Sequence, residues 1–445
     1  MLHTEKRSIW YLIIMVFTWF PLHAQEETEN TFSLSAQLRP RFELRDGVFR
    51  PLGRTEKSAA LISDRTRFTM DYSYKNVLSI RISPQAVNVW GQENMVQGAE
   101  KSGSQFSIFE AWANLQLTNA WGVKAGRQVI SLDDERFFGE LDWAQGARAH
   151  DALSIHYNKS NFEMKSFFAY NQNYKTMYGN NLYNTADNLY CTTDAFPYKW
   201  MQTVWLGYRI NEQSRITVLG TNLGFQQANV DTKDTNTNFQ QTYGANYTYN
   251  SKRITATISG YYQTGENINS SYTNAYLVAA YGTYKINKHW SAGIGSDLVS
   301  GNNVGAANTM NKAFNPYFHT GHKFYGHMDY YLAGNQHKGT GLSDNYLNLN
   351  YRFENGNNIY LNLHQFFTPN TVKETTKTYS KNLGQEADLG FSYKVNKFTS
   401  FTGGYSFYLT TPTTNFLKNT PDGQAYQQWF WLSIKVNPTL VKSKF

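Results

Sequence analysis

The stretch Leu34–Arg45, which reads LSAQLRPRFELR, alternates apolar and polar side chains almost throughout. In an extended chain, alternate side chains point to opposite faces. One face would carry Leu34, Ala36, Leu38, Phe42 and Leu44, and the other Ser35, Gln37, Arg39, Arg41, Glu43 and Arg45. A period of two over this length indicates a β-strand that separates an apolar surface from a wet, charged one.

The same alternation recurs along the chain, clearly at 254–263, 386–395 and 429–436. Eight short polar turns alternate with longer polar loops, at Lys75-Asn76, Thr118-Asn119, Asn158–Asn161, Asn211–Ser214, Asn250–Lys252, Asn287-Lys288, Glu354–Asn357 and Asn396-Lys397. Eight hairpins with one more strand at each end predict an all-β fold, a single antiparallel transmembrane β-barrel of about 18 strands. The short turns would be periplasmic and the long loops extracellular. A further strand-like piece, Lys323–Leu332, is assigned to a loop because such barrels have an even strand number.

The composition supports a barrel over its rivals. Mean hydropathy is −0.56, which argues against a helical membrane protein, and aromatic residues make up 16% of the chain. Tyr and Trp are favoured at both membrane interfaces of such barrels. A soluble β-sandwich would bury the charged strand faces in a dry core, which is costly. A water-filled lumen avoids that cost.

The beginning of the chain has the pattern of an export signal. Lys6 and Arg7 precede an apolar run at Ile9–Phe20, which is too short to span a bilayer, and Ala24 precedes the expected cleavage site. We therefore expect a signal peptide at 1–24 and an outer-membrane barrel at 25–445. Cys191 is the single cysteine, so no internal disulfide can form.

Arginine is concentrated in the first third of the chain. Eleven of the 15 arginines after residue 24 precede residue 150. Arginine facing lipid at mid-bilayer costs about 2–4 kcal/mol, so those on strands are expected in the lumen, where they would favour anions. The predicted pore-lining set is Arg39, Arg41, Arg45, Arg65, Arg67, Arg81, Arg127 and Arg148. An alternative reading stays open, in which these arginines brace the barrel against lumenal Glu43, Asp64, Asp71 and Glu110.

Other candidate sites are weaker. Trp112 and Trp205 could stack on sugar rings, although filling the lumen is the simpler role. His319, His322, His327 and Asp329 resemble metal ligands by type, but their spacing matches no zinc pattern. No cofactor motif or catalytic set is evident, so we expect no enzyme, no cofactor and no metal. The net charge of +8 comes without a nucleic-acid-binding module, so we expect no nucleic acid partner.

Several segments, in this order, resemble the bacterial alginate export porins. They are Leu38–Glu43, Asp64–Arg67, Phe109–Trp112, Gly126–Gln128, Leu141–Trp143, Arg148–Ala152, Phe314–Pro316, His322–Asp329 and Leu383–Leu389. The resemblance implies an 18-stranded outer-membrane barrel with an Arg-rich constriction that selects a polyuronate. It points most strongly to Arg65, Arg67, Arg127 and Arg148.

The leading hypothesis is an outer-membrane channel that passes anionic saccharides such as alginate-like polyuronates through an Arg-lined pore. Its expected partners are outer-membrane lipid and the anionic solute, with periplasmic partners unidentified. The alternatives are a general or small-anion-selective porin, and a barrel that only anchors an enzyme or adhesin.

Overall fold

A single antiparallel sheet winds around until its first and last strands pair. The computed structural model describes residues 29–47, 49–91, 105–171, 198–228, 235–331 and 337–445. The expected signal peptide and Cys191 lie outside the described residues. Within the described ranges, no helix has the length and apolarity needed to cross a membrane.

Twenty strand segments build the sheet, and a two-stranded hairpin and one short helix lie in its connections. The segments are β1 (Thr31–Leu38), β2 (Arg41–Arg45), β3 (Ala59–Tyr74), β4 (Leu78–Val89), β5 (Gln105–Gln116), β6 (Trp121–Gln128), β7 (His150–Lys159), β8 (Phe162–Tyr170), β9 (Trp200–Arg209), β10 (Ser214–Ala228), β11 (Thr235–Asn250), β12 (Ile254–Glu266), β13 (Tyr272–Lys285), β14 (Trp290–Val299), β15 (Leu342–Arg352), β16 (Asn358–Phe367), β19 (Asn382–Lys394), β20 (Thr399–Thr410), β21 (Tyr426–Val436) and β22 (Thr439–Lys444). The hairpin is β17 (Lys373–Glu374) with β18 (Lys377–Thr378), and the helix is α1 (Pro412–Leu417).

Two prolines split the strands at the closing seam. β1 and β2 are halves of one strand interrupted at Pro40, and β21 and β22 are halves of another interrupted at Pro438. Proline has no N–H to donate to the ladder, so it interrupts a strand. β1 pairs with β22 and β2 with β21, which closes the barrel. Counting each interrupted strand once gives 18 strands, as predicted.

The two faces of the wall follow the sequence alternation. Outward-facing Ile258, Val278, Ile294 and Leu347 are each about half exposed or more. Aromatic pairs line the outer surface near both rims, for example Tyr170 with Trp200 and Trp290 with Tyr351. These faces match the apolar band and aromatic girdles of an outer-membrane barrel.

All eight predicted short turns are present between consecutive strands at one end of the barrel. The longer connections lie at the other end. The described part of the strand-like piece 323–332 does not join the sheet, and it begins at the end of a 3-10 turn, Gly321–Lys323. Its residues Tyr325, Met328, Tyr330 and Tyr331 are almost fully buried. The assignment of this piece to a loop is therefore confirmed.

The apolar core lies inside the barrel. Side chains from inner strand faces, such as Trp205, Tyr261 and Phe366, cluster with Phe137, Phe318 and other loop residues. A barrel whose lumen contains such a core is partly filled by its own loops.

Candidate functional site

Two long connections enter the lumen. We call residues 129–149 the first inner loop and residues 300–331 the second inner loop. They meet at Phe138 and Phe318, whose rings stack with centroids 5.0 Å apart and whose backbones form a parallel bridge. The space left between these loops and the wall is the candidate functional site.

Asp133 fastens the first inner loop to one side of the wall. Its carboxylate accepts hydrogen bonds from Trp205 Nε1 at 3.0 Å, Thr217 Oγ1 at 2.6 Å and Asn246 Nδ2 at 3.0 Å. These donors belong to β9, β10 and β11. Burial raises the pKa of Asp133, and the hydrogen bonds from Thr217 and Trp205 oppose that shift. One carboxylate thus ties the loop to three adjacent strands.

Arg136 extends the same attachment to β14. It forms a buried ion pair with Asp297, and its Nε donates to Asp134 at 2.8 Å. Its guanidinium also lies 4.1 Å from the ring centre of Phe324 in the second inner loop. Arg136 therefore connects the wall to both inner loops.

The loop then returns to the opposite wall, where Arg39 and Arg65 hold it. Arg65 Nη2 lies 2.8 Å from Asp142 and its Nη1 donates to the Gln145 carbonyl at 3.2 Å, while Gln37 accepts from the same guanidinium. Arg39 contacts Asp142 at 3.3 Å and Gln145 Oε1 at 2.9 Å. Burial acts to raise the pKa of Asp142, but the two guanidinium groups and the hydrogen bond from Arg65 hold it below its ordinary value.

Arg41 and Arg45 share Glu43 as a counter-charge. Arg41 Nε donates to Glu43 at 2.8 Å, and Arg45 lies 3.8 Å from the other oxygen. Arg41 Nη1 also donates to the Trp143 carbonyl at 2.8 Å, and the guanidinium carbon of Arg41 lies 4.1 Å from the ring centre of Trp143. Arg41 therefore supports the first inner loop as well, while Arg45 donates to the Met328 carbonyl of the second inner loop at 3.2 Å.

Arg67 and Arg81 also face inward, on β3 and β4. Arg67 donates to Gln85 Oε1 at 2.8 and 3.0 Å and is buried. Arg81 pairs with Asp71 at 2.7 Å and with Glu110 at 3.2 Å, and its side chain is about one-third exposed. The structure thus brings three of the four predicted counter-charges, Glu43, Asp71 and Glu110, together with the arginines.

Arg127 lies on the other face of the wall. It pairs across strands with Asp151, at 2.9 and 2.8 Å, and Asp151 is an exposed residue between buried His150 and Ala152. Both charged side chains therefore point outward, contrary to the prediction that Arg127 lines the pore. β6 ends one residue later, at Gln128, and near the interface an outward arginine costs only about 0–1 kcal/mol.

Arg148 and Asp64 also lie in places other than those predicted. Arg148 is in the first inner loop rather than on a strand, and its Nη1 donates to the His319 carbonyl at 2.8 Å. Burial lowers the pKa of Arg148 to about 10, so it remains charged at neutral pH. Asp64 accepts from Trp90 Nε1 at 2.8 Å and does not pair with the lumenal arginines.

The histidines singled out by type all lie in the second inner loop, where His319 and His322 are buried and His327 is partly buried. His322 Nδ1 lies 3.2 Å from the Asp329 carboxylate. Burial lowers the pKa of His319 and of His327 to about 4, so both are neutral at pH 7. Among the described residues, no group of three or more His, Cys, Asp or Glu is placed to hold a metal ion.

Two cavities lie between the inner loops and the wall. The acidic cavity, about 360 Å³, faces β12 to β16, and its charged lining comprises Asp134, Asp297 and Asp344 with Arg136 and Lys323. The basic cavity, about 400 Å³, faces β4 to β8, and its charged lining comprises Lys124, Lys165 and Glu163. Counting only carboxylates, lysines and arginines, the lining of the basic cavity has an excess of positive charge and that of the acidic cavity an excess of negative charge, so the basic cavity favours anions.

Lys124 and Lys165 are not among the residues predicted to line the pore. A signal for Lys124 was present, because Trp121, Val123 and Ala125 place an apolar face on β6. The same alternation puts Lys124 on the lumenal face and Arg127 on the outer one.

A family model described as alginate export matches residues 30–428. The chain belongs to the alginate export family. No curated protein matches it. Membership in the alginate export family, together with the closed barrel, makes this chain an outer-membrane channel rather than an enzyme, with lipid on its outer face.

Solved porin structures share the fold of this alginate export family member. OccK5 (OpdH) of Pseudomonas aeruginosa superimposes with a TM-score of 0.61 at 9% identity, covering 92% of this chain and 98% of that one. OpdK of the same organism, determined with vanillate, gives 0.57 at 8% identity, with 91% and 98% covered. OccAB4 of Acinetobacter baumannii gives 0.59 at 11% identity, with 94% and 99% covered.

Proposed function

We propose that this barrel passes anionic saccharides, such as alginate-like polyuronates, passively across the outer membrane. The proposal rests on an excess of positive charge inside the wall near β2 and β3. Five arginines are clustered there, and among the described residues the whole cluster has only two carboxylates within 4 Å, Glu43 and Asp142. The five are Arg39, Arg41, Arg45, Arg65 and Arg67.

Fixed cations in a narrow aqueous lumen raise the local concentration of anions. Guanidinium groups stay ionised and bind carboxylates through parallel hydrogen bonds. Many of the donors here are engaged by the first inner loop. We therefore expect these arginines to act in two ways, by holding that loop across the lumen and by attracting anions through their field.

Purified full-length protein in planar bilayers tests the proposal. The reversal potential in a salt gradient should show anion selectivity. A short uronate oligomer should block the current more strongly than a neutral oligosaccharide of the same length. Cation selectivity, or equal block by the charged and neutral sugars, would overturn the proposal.

A second candidate is a porin for small anions in general. The observation that favours it is the size of the two cavities, about 360 and 400 Å³, which suits short solutes better than a polymer. Liposome-swelling rates for monomeric carboxylates, uronate monomers and longer uronates distinguish the two. Equal uptake of all monomeric carboxylates, without block by longer uronates, favours the small-anion porin.

A further inference from the structure

The basic cavity carries two cations that the arginine cluster does not explain. Lys124 and Lys165 line it and, among the described residues, neither has a carboxylate within 4 Å. The one carboxylate in the described lining, Glu163, is already paired with Arg215 at 2.8 Å. Two ammonium groups thus line the cavity without a carboxylate at ion-pair distance among the described residues, and Glu110, which pairs with Arg81, attracts Lys124 only from farther away.

Each lysine lies over a tryptophan. Lys124 Nζ is 4.3 Å from the ring centre of Trp112, and Lys165 Nζ is 5.1 Å from that of Trp205. An ammonium group over an aromatic face is held weakly when solvent can reach it. A carboxylate that enters the cavity can therefore draw the lysines from the rings.

Strand pairing places these side chains in one row. Asn114 on β5 pairs with Lys124 on β6, whose other neighbour is Ser154 on β7. Two residues further along β7, His156 pairs with Lys165 on β8, which in turn pairs with Trp205 on β9. With Trp112 two residues before Asn114, the row runs across five consecutive strands.

Two further features shape this row: a glycine that makes space for the His156 ring, and a hydrogen-bond acceptor without a partner among the described residues. Gly122 lies opposite His156, and a Cβ at that position would come within 2.2 Å of the His156 ring. Asn114 Oδ1 is a buried acceptor that has no hydrogen-bond partner among the described residues. A hydroxyl group of a bound solute could donate to it.

We propose that this row is a binding subsite for a carboxylated sugar, with Lys124 and Lys165 binding carboxylates and Trp112 stacking on a ring. The inference deepens the proposed function and rests on it. Aromatic faces beside a few convergent polar groups are typical of ligand sites of this volume. Lysine suits such a subsite because its ammonium group is a mobile point charge whose hydrogen-bond donors can rotate towards a carboxylate.

The test is current block of single channels by a uronate trisaccharide and by a neutral trisaccharide. Removing both charges, Lys124→Gln with Lys165→Gln, should weaken block by the uronate about tenfold or more, because charge-assisted hydrogen bonds are lost. Block by the neutral sugar should change little. Trp112→Leu should weaken block by both sugars, since it removes the stacking surface and leaves the charges.

Two control variants distinguish a specific effect of Lys124 and Lys165 from a general change in lumenal charge. Lys124→Arg with Lys165→Arg keeps both charges and should retain uronate block. Lys323→Gln removes one lumenal charge from the acidic cavity and should leave uronate block near the wild-type value. Unchanged uronate block in the double Gln variant, or an equal loss in Lys323→Gln, would overturn the subsite. A wild-type channel without anion selectivity or uronate block would instead overturn the proposed function.

Discussion

Arg65 is fully buried on β3, and its guanidinium contacts Gln37, the Asp142 carboxylate and the Gln145 carbonyl. Removing one partner of a fully buried ion pair costs about 3–5 kcal/mol. The cost here is smaller, because 41% of the Asp142 side chain is exposed to solvent. Arg65 ties the return arm of the first inner loop to the wall together with Arg39, whose guanidinium makes more hydrogen bonds to residues 142–145.

We expect Arg65→Met to loosen the first inner loop while leaving the barrel folded. Single-channel recordings should show larger conductance steps and more frequent fluctuations than in wild type. Arg127→Met is the matched control, since it removes the same charge from the outer face, and it should conduct like wild type. Identical traces for the two variants would contradict a structural role for Arg65.

At the scale of elements, the first inner loop is attached at both of its arms. Asp133 and Arg136 bind one arm to β9, β10, β11 and β14, and Asp142 binds the other arm to Arg39 and Arg65. Trp143 of the return arm packs against Trp429 and Trp431, and the ion pairs of Arg39 and Arg65 with Asp142 add a charge-dependent attachment. Such an attachment depends on the ionisation of Asp142.

Acid should release that arm. The pKa of Asp142 lies below its ordinary value of 3.8, so the attachment persists as the pH falls to that value and is lost only below it. Conductance should be constant from pH 7 to about 4 and rise at lower pH. Asp142→Asn should show the raised conductance already at pH 7, and a pH response identical to wild type would contradict the assignment.

The strands were predictable because each carries its own signal. Leu34–Arg45 and the segments at 254–263 and 386–395 alternate over a length that lies within one strand. The contacts of the inner loops were not predictable, because Arg39 and Gln145 meet across 106 positions of sequence. For the same reason the sequence could not decide between arginines that face the solute and arginines that hold a loop. The prediction for Arg127 was wrong for a local reason. It used the free-energy cost of a lipid-facing arginine at mid-bilayer, whereas Arg127 lies near the rim of the barrel, where that cost is small.

At the scale of the whole molecule, the wall has two distinct rims. The eight short turns lie at one rim, and the connections that enter the lumen start from the other. In outer-membrane barrels the short turns are periplasmic. The hairpin β17–β18 therefore belongs to the cell surface.

An epitope inserted between Thr375 and Thr376, at the tip of that hairpin, should be accessible to antibody on intact cells. The same epitope inserted between Asn396 and Lys397 should be accessible only after the outer membrane is permeabilised. Flow cytometry before and after permeabilisation measures both. The reverse pattern would show that the barrel has the opposite orientation.

The seam joins Thr31 to Lys444 and Arg41 to Ser433. An assembly intermediate that lacks the final strand keeps two open edges, each with backbone groups that hydrocarbon cannot satisfy. Insertion and cylinder closure must then be nearly simultaneous, and a nascent product halted before β21 is a substrate for proteolysis instead of a smaller channel.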